Sequence, residues 1–383
     1  MSEATCFSSE EPCILFFSGG TALAPIAASL TQYTRNAVHV ITTFDSGGSS
    51  AELRRVFNMP AVGDVRARIL ALADSELPGH AEITELFAYR LPLDASAAEL
   101  RHELESLVAG THPLAMAVPE PLRTAAIHQL GVFYSLLPEI MNLSGASIGN
   151  LALAAGYLEH ARQLEPVATL FSRLVHARGI VKPVVNACAH LCVELENGEI
   201  IVGQHQFTGK TASAITSPIR KLWLSASLND ARPISVRIRP RLEETIRSAD
   251  LLCYPVGSFF SSVMANLLPD GVSLAIRTAS CPKVFIPNLG CDPELFGLSV
   301  QDQVAYLLHL AGAEDEPAKA LNYLLADVDD ARYPGGIPED WLRKHGIRVR
   351  RSELVVEPPY LDADRVCREL MLLAGRPGTT ACM

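Results

Sequence analysis

The sequence predicts an α/β protein: a Rossmann-like, doubly wound, mostly parallel sheet that carries an antiparallel hairpin insertion. Three observations predict it. Short apolar runs alternate with longer helical patterns, as βαβ units require. Hydrophobic residues make up 49% of the 383-residue chain and charged residues only 19%, against about 25% charge in ordinary soluble domains. Strands buried on both faces of a parallel sheet read as near-continuous apolar runs and account for that excess. Finally, Asn197-Gly198 stands between two apolar segments, the strongest short hairpin signal.

Taken in order, Cys13–Phe17 is the first buried strand, followed at once by Ser18-Gly19-Gly20-Thr21. A helix from near Ala22 tolerates Pro25 in its first turn. The second strand, Val38–Phe44, ends in Asp45-Ser46-Gly47-Gly48-Ser49-Ser50. Helical patterns follow at Ala51–Phe57, Asp64–Asp74, Asp94–Leu107 (capped by Asp94 or Ser96), about Glu120–Pro138, and Ser147–Glu159. Val184–Leu195 and Ile200–Phe207 flank the hairpin turn. Strands return at Ser235–Ile238, Leu251–Tyr254 and Val284–Asn288, each paired with a helix. Residues 327–346, rich in Asp, Pro and Gly, read as irregular, and Val349–Val356 and Leu361–Ala374 supply a last strand and helix. The expected division is an α/β domain over 1–326 with the hairpin insertion near 184–207, and a C-terminal extension over 327–383 packed on it.

Composition excludes whole classes of partner. The chain has 32 basic and 42 acidic residues, a net charge of −10, whereas phosphate-backbone binding needs a surplus of Lys and Arg. No nucleic-acid partner is expected. A membrane span needs about 20 mostly apolar residues, and Pro, Gly or charge interrupts every candidate run, so no membrane partner is expected either. Met1 to Glu11 holds three acids and no Lys or Arg, which is not a signal-peptide n-region. Nine cysteines at irregular spacing suggest reduced thiols in a cytoplasmic protein. A homodimer is left open.

Four glycine-bearing turns face one sheet edge. Glycine lets backbone N–H groups approach an anion closely, and a helix N-terminus favours negative charge. Ser18 to Thr21 is therefore a phosphate-loop candidate, its bland alternative being a tight βα turn; it matches neither GxGxxG nor GxxxxGK[ST]. In the second loop Asp45 can ligate Mg²⁺ or act as a base, while Gly47, Gly48 and Ser49 offer amides and hydroxyls; alternatively Ser50 merely caps a helix. The third is Gly257-Ser258, opening a helix that includes Ser262 and Asn266. The fourth is Gly63-Asp64-Val65-Arg66, with Asp64 either a metal or ribose ligand or a helix cap.

In this order the segments resemble the CofD superfamily, which includes 2-phospho-L-lactate transferases and YvcK-type gluconeogenesis factors. The resemblance is carried by Ser18-Gly19-Gly20-Thr21, by Asp45 to Arg54, and by Gly63-Asp64-Val65-Arg66 with Ala71-Leu72-Ala73-Asp74. It continues through Ser147-Ile148-Gly149-Asn150-Leu151, Tyr254-Pro255-Val256-Gly257-Ser258 with Asn266-Leu267-Leu268, and Val284 to Leu289. It implies a Rossmann-like core that binds a nucleotide diphosphate-linked small molecule, guanylyl or uridylyl, across the sheet edge. In the transferase branch a lactyl-phosphate group passes to a deazaflavin acceptor with Mg²⁺; in the YvcK branch the cleft holds a nucleotide sugar. By position, Ser18, Gly19, Gly20 and Thr21 would cradle phosphates with Gly47, Gly48 and Ser49. Asp45 and Asp64 would be the catalytic and metal-ligating acids, Asn150, Gly257 and Ser258 would line the cleft, and Asn288 would close it. The family loop usually has two consecutive acids, whereas Ser46 follows Asp45 here, nearer the YvcK pattern. The two readings are a transferase of a phosphorylated group and a non-catalytic nucleotide-sugar regulator.

For a leaving pyrophosphate the basic candidates are Arg66 and, as a lid, Lys210, Arg220 and Lys221, although solvated surface is the expectation for each taken singly. Cys188, His190 and Cys192 share one face of a strand, and such ligands suit zinc, but three on one strand converge poorly on a tetrahedral ion. A small-residue core face is the expectation there.

Overall fold

A computed structural model of the chain describes residues 11–74, 76–209, 214–289 and 292–375. Eleven strands appear among them: β1 (Ile14–Ser18), β2 (Val38–Ile41), β3 (Ile180–Pro183), β4 (His190–Leu195), β5 (Ile200–Val202), β6 (Ile219–Ser227), β7 (Asp230–Pro233), β8 (Leu251–Tyr254), β9 (Lys283–Phe285), β10 (Tyr323–Asp327) and β11 (Arg348–Ser352). Seven of them form one sheet in the order β11-β10-β9-β8-β1-β2-β3, with every pairing parallel. The chain winds outward from β1 to β3, then returns to the other side of β1 at β8 and winds outward again. The switch point therefore lies between β1 and β8, where open α/β sheets form a crevice outside the carboxyl ends of the strands. Every residue of β1 and β8 is buried, as the continuous apolar runs required.

The hairpin at Gly198 (φ 88°) belongs to a second, four-stranded antiparallel sheet, β5-β4-β6-β7. In β6, Arg220-Lys221 interrupt the apolar alternation and hide the strand from a periodicity reading. Val184–Ala189 is loop, so Cys188 lies before β4 rather than on it. After Val202 the chain turns at Gly203 (φ 98°) into a short 3₁₀ turn, Gln204–Gln206, instead of continuing as strand to Phe207. Ser235–Ile238 also departs from expectation: it makes only an isolated bridge, Arg237 to Asp270, between Pro233 and Pro240, which cannot donate to a ladder.

Helices between His80 and Leu174 form a separate apolar cluster against β2 and β3. The expected helix near Asp94–Leu107 runs Ala97–Val108, with a capping box of Ser96 and Glu99. Residues 327–346 are not wholly irregular: they include the helix Glu339–Lys344. β10 ends at Asp327 and β11 completes the sheet edge, while Ala363–Leu373 packs on the helix Ala24–Leu30, with the Cys367 thiol donating to the Ile26 carbonyl at 3.5 Å. No helix among the described residues is long and apolar enough to cross a membrane.

Candidate functional site

At the β1/β8 switch point a cavity of about 630 Å³ opens between the two sheets, and all four glycine-bearing turns reach it. Gly19, Gly20 and Thr21 enter from the end of β1, and Asp45, Gly47, Gly48 and Ser49 from beyond β2. Asp64 and Asn150 enter from two helices, and Gly257 and Ser258 from beyond β8. Of the residues singled out in the sequence, Ser18 and Asn288 stand behind the wall. The Ser18 carbonyl accepts from Asn266 Nδ2 at 3.1 Å. Asn288 brackets Gly257, accepting from its N–H at 2.9 Å and donating to its carbonyl at 2.7 Å.

Three helix N-termini converge here: Gly48–Phe57, Gly63–Ala71 and Ile148–Glu159. None of their caps, Gly47, Val62 and Ser147, makes a side-chain capping bond. Two serines staple the three ends together. Ser50 Oγ accepts from the Gly63 N–H and Ser49 Oγ from the Ser147 N–H, each at 3.1 Å. Ser50 is thus not the cap of its own helix but a partner of the next one. Asp64, likewise, is not a cap: it sits in the first turn after Val62. Converging N–H groups and aligned helix dipoles make an anion site without a basic surface. Gly48 adopts φ 50°, a left-handed conformation that costs other residues energy. The helix after β1 begins only at Ala24, so at the end of β1 the glycine loop meets the cavity ahead of the helix cap Leu23, which also lines it.

A buried arginine stands behind each acid. Arg54 reaches back with Nη1 to the carbonyls of Phe44 (3.0 Å) and Asp45 (2.6 Å), and its Nη2 donates to Ala189 O, tying the Asp45 loop to the antiparallel sheet. Asp45 Oδ1 accepts from the Gly47 N–H at 3.0 Å. Arg68, fully buried, donates from Nη2 to the Gly19 carbonyl at 2.9 Å. Burial lowers its pKa to about 10, partly offset by the Asp64 carboxylate, so it stays charged under the glycine loop. Arg68 escaped the sequence reading, yet Asp64 and Arg68 are spaced i, i+4 and share a helix face, a signal that could have found it.

Two further cations line the cavity, Arg66 and Arg90. Burial and the nearby Arg90 lower Arg66 to about 10, and its guanidinium donates to Ser147 Oγ. The room for Arg66 comes from Gly149, where a Cβ would lie 2.8 Å from Arg66 Cδ and 2.6 Å from the Phe87 carbonyl. Gln204, His205 and Thr208 close the cavity from the antiparallel sheet; no sequence motif marks them. Ser46, where the family pattern has a second acid, meets His205 Nδ1 at 2.8 Å.

Beyond β8 the wall rests on two carboxylates. Asp292 accepts from the Phe259 N–H (2.8 Å), and buried Glu294 accepts from the N–H groups of Phe260 and Ser261, both at 2.8 Å. Burial and the Asp292 charge push Glu294 from 4.5 up to about 8. Because the fold holds this proton to higher pH than the unfolded chain, its stabilisation is full below 4.5 and lost as pH rises toward 8. Glu294→Gln keeps acceptor and donor positions without the charge. Thermal melts from pH 5 to 9 should therefore show a flatter profile for Glu294→Gln than for the wild type; equal slopes would contradict this origin.

Asp45 and Asp64 are the residues suited to Mg²⁺. Among the described residues no three His, Cys, Asp or Glu side chains are grouped to hold a metal by themselves. Mg²⁺ commonly takes one or two carboxylates plus substrate phosphates and waters, and this donor set fits that habit. At the Cys188–His190 pair a guanidinium already stands where a metal would: Arg54 Nη2 lies 3.8 Å from Cys188 Sγ and 3.3 Å from His190 Nε2. Burial and Arg54 hold His190 down to about 4. Arg220 and Lys221 are exposed on β6 and both pair with Glu194, and Lys210 lies outside the described residues.

Comparison with known proteins agrees with this architecture. A crystal structure of a UPF0052 family member from Bacillus halodurans superposes with a TM-score of 0.70 over 94% of this chain and 99% of that one, at 22% identity. The gluconeogenesis factor of Bacillus subtilis is 25% identical over 362 residues, covering 90% of this chain and 92% of its own. A putative gluconeogenesis factor of Thermotoga maritima is 27% identical over 297 residues, 77% of this chain and 74% of its own. The family model described as 2-phospho-L-lactate transferase CofD matches residues 14–353, nearly the whole chain, and the protein belongs to the CofD family.

Proposed function

We propose that the cleft binds a nucleotide diphosphate-linked ligand, guanylyl or uridylyl, together with Mg²⁺, and that the protein transfers a phosphorylated group from it, as a 2-phospho-L-lactate transferase does. The convergence of three helix N-termini without side-chain caps on one cavity carries this reading. In it the Gly47 N–H stays on Asp45, while the amides of Gly19, Gly20 and Gly48 hold the non-reacting phosphates. Arg66 and Arg90 offset their charge, and Asp64 accepts the proton of the acceptor hydroxyl. Such transfer needs positioning and charge neutralisation more than covalent chemistry. Asp45 and Asp64 would hold Mg²⁺, which when bound neutralises charge developing on the phosphate oxygens.

A second reading, a nucleotide-sugar-binding regulator without turnover, is favoured by Ser46. Its hydroxyl is engaged with His205 where the transferase pattern has a carboxylate, and relatives carry the name gluconeogenesis factor. Incubating the protein with a guanylyl-diphospho donor, Mg²⁺ and a deazaflavin acceptor separates the two. Release of nucleoside monophosphate that disappears in Asp64→Ala supports transfer. Binding of a uridine diphospho-sugar with no release supports the regulator.

A further inference from the structure

We infer that the opposite edge of the large sheet carries a second anion site, for a small phosphate-bearing molecule. It is a cavity of about 440 Å³ lined by Arg277, Lys283, Lys319 and Arg348, with no acidic residue in its wall. Lys283 and Arg348 are the first residues of β9 and β11, and Tyr323 between them is the first of β10. Parallel register sets the three side by side, Tyr323 opposite both Val284 and Arg348. Arg277 and Lys319 come from the segments that precede β9 and β10. Three successive sheet-crossing units thus deliver cations to one hollow, in a chain whose net charge is −10.

Part of this charge has a structural use. Lys283 Nζ donates to the Ala279 carbonyl at 2.6 Å and Arg277 Nη1 to the Gly312 carbonyl at 2.9 Å, satisfying backbone at the ends of helices. Lys319 pairs with exposed Glu316 at 2.7 Å. Carbonyl dipoles do not neutralise a full charge, however, and Lys283 is only 4% exposed. A buried ammonium with one carbonyl partner is costly unless an anion completes it. Arg348 is exposed, and its guanidinium makes no hydrogen bond or ion pair among the described residues. The guanidinium and ammonium donors match phosphate oxygens, and the volume lies in the range of small-molecule sites. The site stands apart from the β1/β8 cleft and is independent of the function proposed for that cleft.

Titration calorimetry with inorganic diphosphate, in EDTA at low salt, tests it on three proteins. Wild type should bind, and Gly20→Val, altered in the cleft loop, should retain one site. Arg348→Glu should weaken that retained site roughly tenfold or more, with a melting temperature unchanged in phosphate-free buffer because Arg348 is exposed. Added salt should weaken the same site, as screening of an open charged site requires. If Gly20→Val does not fold, Asp64→Ala replaces it as the cleft variant. Heat that vanishes in the cleft variant and is untouched by Arg348→Glu, or no heat in the wild type, overturns the inference.

Discussion

Arg68→Met is expected to lower the stability of the folded chain by about 3–5 kcal/mol, the range for removing one member of a buried charged network. Arg68 has no exposure and supports the Gly19 carbonyl from below. It also lies close enough to the Asp64 carboxylate for each charge to act on the other. Methionine keeps much of the stem but leaves the Gly19 carbonyl without its donor and removes one of the two cations, Arg66 and Arg68, that act on Asp64. Arg68→Lys should fall between the two, since an ammonium keeps the charge but not the fork geometry. Guanidinium unfolding followed by far-UV circular dichroism checks this. A loss below about 1 kcal/mol, the scale of an ordinary substitution, would show that Arg68 does not hold the loop.

Gly20→Val should weaken nucleotide diphosphate binding about a hundredfold, or about 2.7 kcal/mol, while the fold survives. A Cβ at Gly20 would lie 2.6 Å from Asp64 Oδ1 and 3.2 Å from both Asp64 Cα and Ala67 Cβ. The carboxylate must therefore leave the loop, and branched bulk enters the space the phosphates would use. Gly19 is just as tightly enclosed, a Cβ there meeting Ser262 Oγ at 2.4 Å and Ser262 Cβ at 2.9 Å. At Gly48 a Cβ would meet nothing within 4 Å, so Gly48→Ala acts only through its left-handed backbone and should cost much less. Calorimetric titration of the two variants orders them. Equal affinity for Gly20→Val and wild type would mean that no ligand approaches this loop.

The parallel core was readable from sequence because its strands are two-faced. Cys13–Phe17 and Leu251–Tyr254 are apolar at every position, and their flanking glycines mark where they end. The same logic located the glycine turns, since each follows a strand or opens a helix. β6 was hidden because Arg220 and Lys221 sit on an exposed stretch, where packing does not constrain the pattern. Gln204, His205 and Thr208 were hidden for another reason: they reach the cavity only because the antiparallel sheet packs on the parallel one in a shared apolar core. Such a contact between distant segments has no local periodicity. Arg54 and Arg68 illustrate a third limit. Composition assigns arginine to the surface, yet both are buried as struts beneath the loops that carry the acids. Ser18 and Asn288 show the converse, being motif residues that position the wall rather than form it.

The most direct measurement is titration of the purified full chain with guanosine and uridine diphosphates, each with and without Mg²⁺. Binding of at least one in the micromolar range, about −8 kcal/mol, is expected, weakened by EDTA and by Asp64→Ala. Binding of neither nucleotide in the presence of Mg²⁺ would contradict the assignment of this cleft.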